Sequence, residues 1–441
     1  MQVLLPLSVL LVLLGLITRA PLLGVTGGAL MVAFFVRYWS SLMPYPRRLG
    51  VVTLATTLWW LLQGGSGAEL QRALGSAAYY GTFIGALGLM HAVVKRLPQV
   101  SGLHRILLAG PSRWLYPSYL FSAFAISSVL SFGMLNLVCS SLQHHLDRQS
   151  YTDAQRRGGQ RGVMVTALRG FALVPLIAPT SVTVAILSRE LPGLTWSALL
   201  PYGLLCALVL LVLGWPAETA RLSLLGHTDT PEEGPRREPM IPLLLTCLAA
   251  LALIAGLASF SWLSATQAAM VLIPVGVVAF LFRTLPTTAV GREVTDTLAG
   301  MRNEIFIFAA SGLLGGLVAA LVPVGELAPL FSSTPLGPFI LGSIAMVSII
   351  VLALAGVAPI ITLNLCAGLL VPLADRGVPI MQPAVALLAG FSLAMLLSPY
   401  GPSALMLSRY AQISPWNIAF RWNGRFALLA IVPLLAIAWI A

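Results

Sequence analysis

Apolar runs of about twenty residues succeed one another along almost the whole chain, and no other feature constrains the fold as strongly. Twenty residues of α-helix span roughly 30 Å, the thickness of a bilayer's hydrocarbon core. Of the 441 residues, 58% are hydrophobic and only 9% charged, and mean hydropathy is +0.92. A soluble domain carries about 25% charged residues, so the chain reads as an all-α polytopic membrane protein. The opening run, Met1 to Ile17, flows into further apolar sequence without a small-residue cleavage pattern, and reads as a first span rather than a removed signal peptide.

Spans are expected at 3–18, 21–37, 50–64, 77–94, 163–188, 197–215, 241–258, 262–283, 304–324, 381–407 and 424–441. Two further apolar stretches, 114–142 and 336–372, fit hairpins that enter and leave on one side. With the N-terminus in the cytoplasm, all but four of the 25 Lys and Arg residues lie inside, and Arg19, Arg72, Arg189 and Arg376 stay outside. That is a strong positive-inside bias. A full crossing at 114–142 would send the Arg-rich stretch after it outward, so the charge count favours a re-entrant hairpin there. The net charge of +11 is spread singly along loops and reports topology, which argues against a nucleic-acid partner. The four cysteines, Cys139, Cys206, Cys247 and Cys366, lie in apolar segments without paired spacing, so neither a disulfide framework nor a metal site is expected.

The chain also matches itself. "GFALVPLIAPTSVTVAILSR" (170–189) aligns with "GFSLAMLLSPYGPSALMLSR" (390–409) at an offset of 220, with eight of twenty positions identical. Trp196 and Trp416 fall at the same offset, and an offset of 228 pairs Leu135-Asn136-Leu137 with Leu363-Asn364-Leu365. An odd number of crossings separates the copies, so they sit upside down relative to each other, as in many secondary transporters. The expected organisation is an extra helix at 1–20, a first repeat at 21–216, a cytoplasmic linker at 217–240 and a second repeat at 241–441. About 11 transmembrane helices and two re-entrant hairpins thus form an inverted-topology repeat.

Each copy carries a helix breaker in mid-span: Ala178-Pro179-Thr180-Ser181 in the first, Ser398-Pro399-Tyr400-Gly401-Pro402-Ser403 in the second. Proline removes a backbone donor, and a break at membrane depth is tolerated only where it faces protein or a water-lined cavity. Matching breaks in two halves point to a transport site near the midplane. A half-helix starting after each break would turn its positive end toward an anion. The residues expected to bind substrate are Asn136, Pro179, Thr180, Ser181, Thr183, Asn364, Ser398, Pro399, Tyr400 and Ser403. Ser131, Gly133, Thr362 and Gly401 are candidates for a coupling ion, with bound sodium the one ligand considered and no other cofactor. Thr180 and Ser181 are expected to face Ser398 and Tyr400 across a polar cavity. Asn136 and Asn364 can equally serve as inter-helix glue. No carboxylate falls centrally in an expected span, and no phosphate-cradling loop or activated nucleophile appears, so the chain is not read as an enzyme.

Eleven spans, two opposed hairpins and interrupted helices following them resemble the ion transporter superfamily, over nearly the whole chain. Ala178-Pro179-Thr180-Ser181 and "LLSPYGPSALMLSRY" look most like its citrate and gluconate permease-like branches. The Ser-Asn-Thr hairpin motif of the dicarboxylate symporters is replaced here by "MLNLVCSS" and "ITLNLCAG". The resemblance implies a homodimer with a scaffold and a mobile transport domain that moves an anion by alternating access. The expectation is a secondary active transporter of a small organic anion in the bacterial inner membrane, driven by sodium or protons. The alternative on the same scaffold is an exporter or flippase of a lipid-linked or toxic compound.

Overall fold

A computed structural model describes residues 3–96, 111–148, 151–191, 193–225, 240–332, 334 and 336–441. Arg105, Arg236 and Arg237, counted above as inside, and linker residues 226–239 lie outside the described residues. No strand occurs among the described residues. The first half comprises α1 (Leu4–Thr18), α2 (Pro21–Arg37), α3 (Pro44–Leu62), α4 (Gly67–Gly88) and α5 (Met90–Val94), then α6 (Leu115–Leu130) and α7 (Phe132–Arg148). It continues with α8 (Asp153–Ala172), α9 (Val174–Ile177), α10 (Val182–Glu190) and α11 (Trp196–Leu222). The second half comprises α12 (Met240–Phe260), α13 (Ala265–Thr284), α14 (Thr287–Gly300), α15 (Arg302–Leu321) and α16 (Ala328–Ser332). After these come α17 (Leu336–Leu354), α18 (Pro359–Ala374), α19 (Met381–Leu397), α20 (Pro402–Ala411) and α21 (Asn423–Trp439).

Among the described residues, eight helical stretches are long and apolar enough to cross a membrane, and four shorter apolar helices accompany them. The fold is therefore an all-α polytopic membrane protein. Two differences from the expected spans matter for function. The stretch after Arg283, expected as a loop, forms the amphipathic helix α14, which buries Val290, Thr297 and Leu298. Helix α11 does not stop before Trp215-Pro216 but runs through Pro216 to Leu222 and carries Glu218 with it. A membrane helix tolerates such a proline because neighbouring groups satisfy the freed carbonyl.

The two halves pack by one scheme. The pairs α6–α7 and α17–α18 are the expected hairpins, and each first arm packs against the interrupted helix of its own half: α6 on α8, α17 on α19. The closing helices repeat the pattern, α11 on α8 and α21 on α19. Contacts between the halves are reciprocal as well. Helix α10 packs on α18 and α20 on α7, while α4 meets its counterpart α15 and α11 meets its counterpart α21. The Ser392 hydroxyl donates to the Ala172 carbonyl at 2.7 Å. Ser392 and Ala172 are 220 residues apart, which is the repeat offset, as a pseudo-two-fold relation between the copies would place them.

The matching Gly-Phe pairs acquire a reason in this packing. A β-carbon on Gly170 would lie 2.6 Å from Ala123 Cβ and 2.7 Å from the Leu120 carbonyl of α6. One on Gly390 would lie 3.0 Å from Met346 Cα of α17. Glycine lets each interrupted helix touch the backbone of its hairpin arm, and a larger residue at such a site costs about 1–3 kcal/mol. Gly170→Val and Gly390→Val should each lower the thermal unfolding midpoint of the detergent-purified chain by several degrees. Gly256→Val on α12, where a side chain meets nothing within 4 Å, should leave the midpoint within about 1 °C after its small propensity change.

Candidate functional site

Both proline-bearing interruptions form where expected. Helix α9 ends at Ile177, residues 178–181 are non-helical, and α10 begins at Val182. Helix α19 ends at Leu397 and α20 begins at Pro402. The local chemistry explains how the breaks persist. Ser181 caps α10, its Oγ accepting from the amides of Thr183 at 3.1 Å and Val184 at 3.4 Å while donating to the Pro175 carbonyl at 3.3 Å. In the second half Pro402 opens α20 at a position where no amide donor is needed, and Gly401 is its cap.

Each break is fastened to the hairpin of its own half. The Thr180 hydroxyl donates to the Ser128 carbonyl in the last turn of α6, and the Ser398 hydroxyl donates to the Ala353 carbonyl in the last turn of α17 at 3.2 Å. Ser403 donates to the Met395 carbonyl at 3.4 Å. Among the described residues none of these side chains hydrogen-bonds the opposite break; Thr180 and Ser398 are each pinned to the hairpin arm of their own half. Pro179 and Pro399 are buried between these partners. Tyr400 is 54% exposed, packs edge-on against Trp416 with ring centroids 5.8 Å apart, and lies over Gly356.

The hairpin residues divide into three kinds. Asn364 is 2% exposed and donates to Ser311 Oγ of α15 at 3.0 Å and to the Ile360 carbonyl at 3.1 Å. Asn136, its counterpart, is exposed and accepts from the Tyr410 hydroxyl at 2.6 Å. The glue reading fits both. Gly133 is a close-packing position, since a β-carbon there would lie 3.0 Å from Val94 of α5. Ser131 links α6 to α7 with φ 52° and ψ −131°, a conformation that non-glycine residues avoid; the tip of the other hairpin uses Gly356 at φ 93°.

Three buried hydroxyls near these tips have no hydrogen-bond partner among the described residues: Ser127 in α6, Thr183 in the first turn of α10 and Thr362 in the first turn of α18. A buried unpaired hydroxyl costs about 1–3 kcal/mol and asks for a ligand or water. Helices α10 and α18 pack together, and Thr183 and Thr362 each lie in the first turn of one of them. Thr362 was expected as a coupling-ion group and Thr183 as a substrate group. Ser127 was passed over because it lies in a smooth apolar run.

A large cavity lies elsewhere. About 1110 Å³ in volume, it is walled by α1, α2, α3, α4 and α15, with Arg189 the one charged residue lining it. Arg189 stands over the Tyr79 ring at 4.4 Å, and neighbouring Glu190 accepts from the Tyr80 hydroxyl at 2.6 Å and from Ser76 at 2.9 Å. A second polar centre, missed in sequence because α11 was ended early, joins Arg169, Glu218 and Arg221.

No family model matches the chain, and no curated protein matches it. Among solved structures it is similar to the YdaH transporter of Alcanivorax borkumensis, whose structure is described as having an unusual topology. The TM-score is 0.53 at 16% identity, covering 93% of this chain and 97% of that one. The likeness concerns the fold: the chain shares the polytopic fold of that protein.

Two substitutions separate anchoring from strain. Thr180→Val leaves the Ser128 carbonyl without its donor and should destabilise the chain by about 1–3 kcal/mol. Ser131→Gly relieves the positive φ and should raise stability by about 1 kcal/mol. Thermal unfolding of both variants in detergent reads the two signs directly.

Proposed function

We propose that the chain is a secondary active transporter of a small organic anion, working by alternating access, and that the anion is held where the hairpin tips meet the interrupted helices. The observation that carries this is that Thr183 and Thr362, each in the first turn of one of two helices that pack together, α10 and α18, are buried with unpartnered hydroxyls. Two helix N-termini supply positive potential, and the Thr183 and Thr362 hydroxyls supply donors without a partner among the described residues. A carboxylate satisfies both. Hydroxyls with freed carbonyls also suit a hard cation such as sodium, so sodium or protons remain the driving ions considered. The same reading takes from the ion transporter superfamily resemblance a homodimer in the bacterial inner membrane with its N-terminus inside.

The two breaks also differ in exposure. Residues 178–181 are all buried, whereas Tyr400 is open and Gly401 half-buried. An inverted pair in unequal environments is what one state of an alternating-access cycle requires. A second reading, export of an amphiphile, is favoured by one observation: the large apolar cavity with Arg189 in its wall.

Purified chain in proteoliposomes, with labelled acetate, benzoate and citrate under imposed sodium or proton gradients, tests the reading. Thr183→Val and Thr362→Val should each cut gradient-driven uptake at least about tenfold, since each removes about one buried hydrogen bond to solute or ion. Their unfolding midpoints should stay at or above the original, because the hydroxyls have no internal partner to lose. Uptake untouched in both variants would exclude this site. Transport of a labelled amphiphile in place of the three carboxylates would favour the second reading.

A further inference from the structure

Arg169 is 3% exposed and Glu218 is 1% exposed, and both lie within the membrane-crossing part of the fold. The charges around them do not balance. Glu218 Oε1 receives Arg221 Nη1 at 2.6 Å and Arg169 Nη2 at 3.3 Å, while Glu218 Oε2 has no partner. Arg161, one turn-pair earlier on α8, lies close enough to feel Arg169, Arg221 and Glu218, and its Nε is also unpartnered. Three guanidiniums thus surround one carboxylate. Arg221 holds that carboxylate closely, and Arg169 has a long bond to Glu218, a 3.5 Å contact from Nε to Asn423 Oδ1 and the Tyr116 hydroxyl beside it. The Phe426 ring covers its face at 3.7 Å. A guanidinium has five N–H donors, so these partners leave donors to spare.

A hydroxyl stands beside these donors. Tyr116 of α6 is fully buried, its Oη beside the Arg169 guanidinium and with no acceptor for its own proton. A β-carbon on Gly214 would fall 2.1 Å from Tyr116 Oη and 3.0 Å from Arg169 Nη1, so the absence of a side chain on α11 lets both groups reach the same spot. The groups that face this spot come from every wall: Tyr116 from α6, Arg161 and Arg169 from α8, Glu218 and Arg221 from α11, and Asn423 with Phe426 from α21.

The internal repeat supplies a control built into the chain. At the offset of 220, Arg169 corresponds to Ala389 and Glu218 to Ala438, both buried. The same helix pairing, α8 with α11 and α19 with α21, is therefore made in the other half with two alanines. Packing does not require the charges.

We propose that Arg169 and Tyr116 form a second anion-binding site that takes a carboxylate, roughly 15 Å along α8 from the Pro179 break at 1.5 Å per residue. It completes the guanidinium that Glu218 leaves undersatisfied. The inference rests on the reading that the chain moves an organic anion, and gives that anion a docking point on the Arg-rich side, one step before the breaks.

The test uses detergent-purified full-length chain, with acetate, benzoate, citrate and inorganic phosphate added at constant ionic strength against chloride. At least one carboxylate should raise the unfolding midpoint saturably. Tyr116→Phe, which removes one oxygen atom, should weaken the apparent affinity about tenfold, the value of one buried hydrogen bond. The double variant Arg169→Ala with Glu218→Ala copies the Ala389/Ala438 pair; it should elute from gel filtration as the original does and lose the protection. Protection by phosphate alone would replace the carboxylate with a phosphate ligand and overturn the stated class. Saturable protection retained in both variants, or no protection of the original chain by any probe, overturns the site. Should the double variant fail to fold, Tyr116→Phe decides. Loss of the site with uptake still dependent on Thr183 leaves transport at the breaks standing; a saturable site without uptake of any probe does the reverse.

Discussion

In lipid no water repairs a broken helix, so every backbone group freed by Pro179 and Pro399 must find its partner within the protein. The rest of the structure follows from that need. Ser181 satisfies the amides at the start of α10, and proline removes one of those at the start of α20. Thr180 and Ser398 then reach across to carbonyls in the last turns of α6 and α17, which fixes each hairpin against its own break. Gly170 and Gly390 bring the arms close enough for those bonds to form. What began as a defect in two helices becomes the joint that positions four helix ends.

The internal repeat is visible in these joints. A hydrogen bond joins residues one repeat apart, Ser392 to Ala172, as a pseudo-two-fold relation between the copies would place them. The reciprocal packing of α10 on α18 and α20 on α7 has the same origin. Symmetry also makes the exceptions informative. Glu190 and Tyr410 occupy equivalent helix ends, yet one accepts from Ser76 and Tyr80 while the other donates to Asn136. Ion pair and alanine pair, at 169/218 and 389/438, are a second exception.

Much of this was legible beforehand, and the physical reason is period. Apolar length, charge bias and the 220-residue echo are properties of many residues at once, so the spans, the hairpins and both breaks could be read with no structure at hand. Side-chain direction could not. Thr180 and Thr183 look alike in "APTSVT", but one hydroxyl is spent on Ser128 and the other on nothing, and only the placement of α6 decides which. Asn136 and Asn364 share a Leu-Asn-Leu setting, yet one is exposed and the other buried against Ser311. Glu218 was hidden by Trp215-Pro216, which reads as a helix end in water and is tolerated inside a membrane helix because neighbouring groups take up the freed carbonyl.

That distinction between spent and unspent hydroxyls sorts the site better than depth or residue type. A bonded hydroxyl such as Thr180, Ser181 or Ser398 stabilises the broken backbone and has no proton left to donate to an anion. Thr183, Thr362 and Ser127 are buried with donors unused, so the protein bears their desolvation in this state unless something fills the gap. In an alternating-access cycle that cost is useful: an empty site of unsatisfied donors disfavours the closed arrangement, and a bound anion removes the penalty. On the proposed cycle, the first break, wholly buried, and the second, open at Tyr400, would stand for its two positions. Moving between them needs no new fold, only an exchange of environments between the copies.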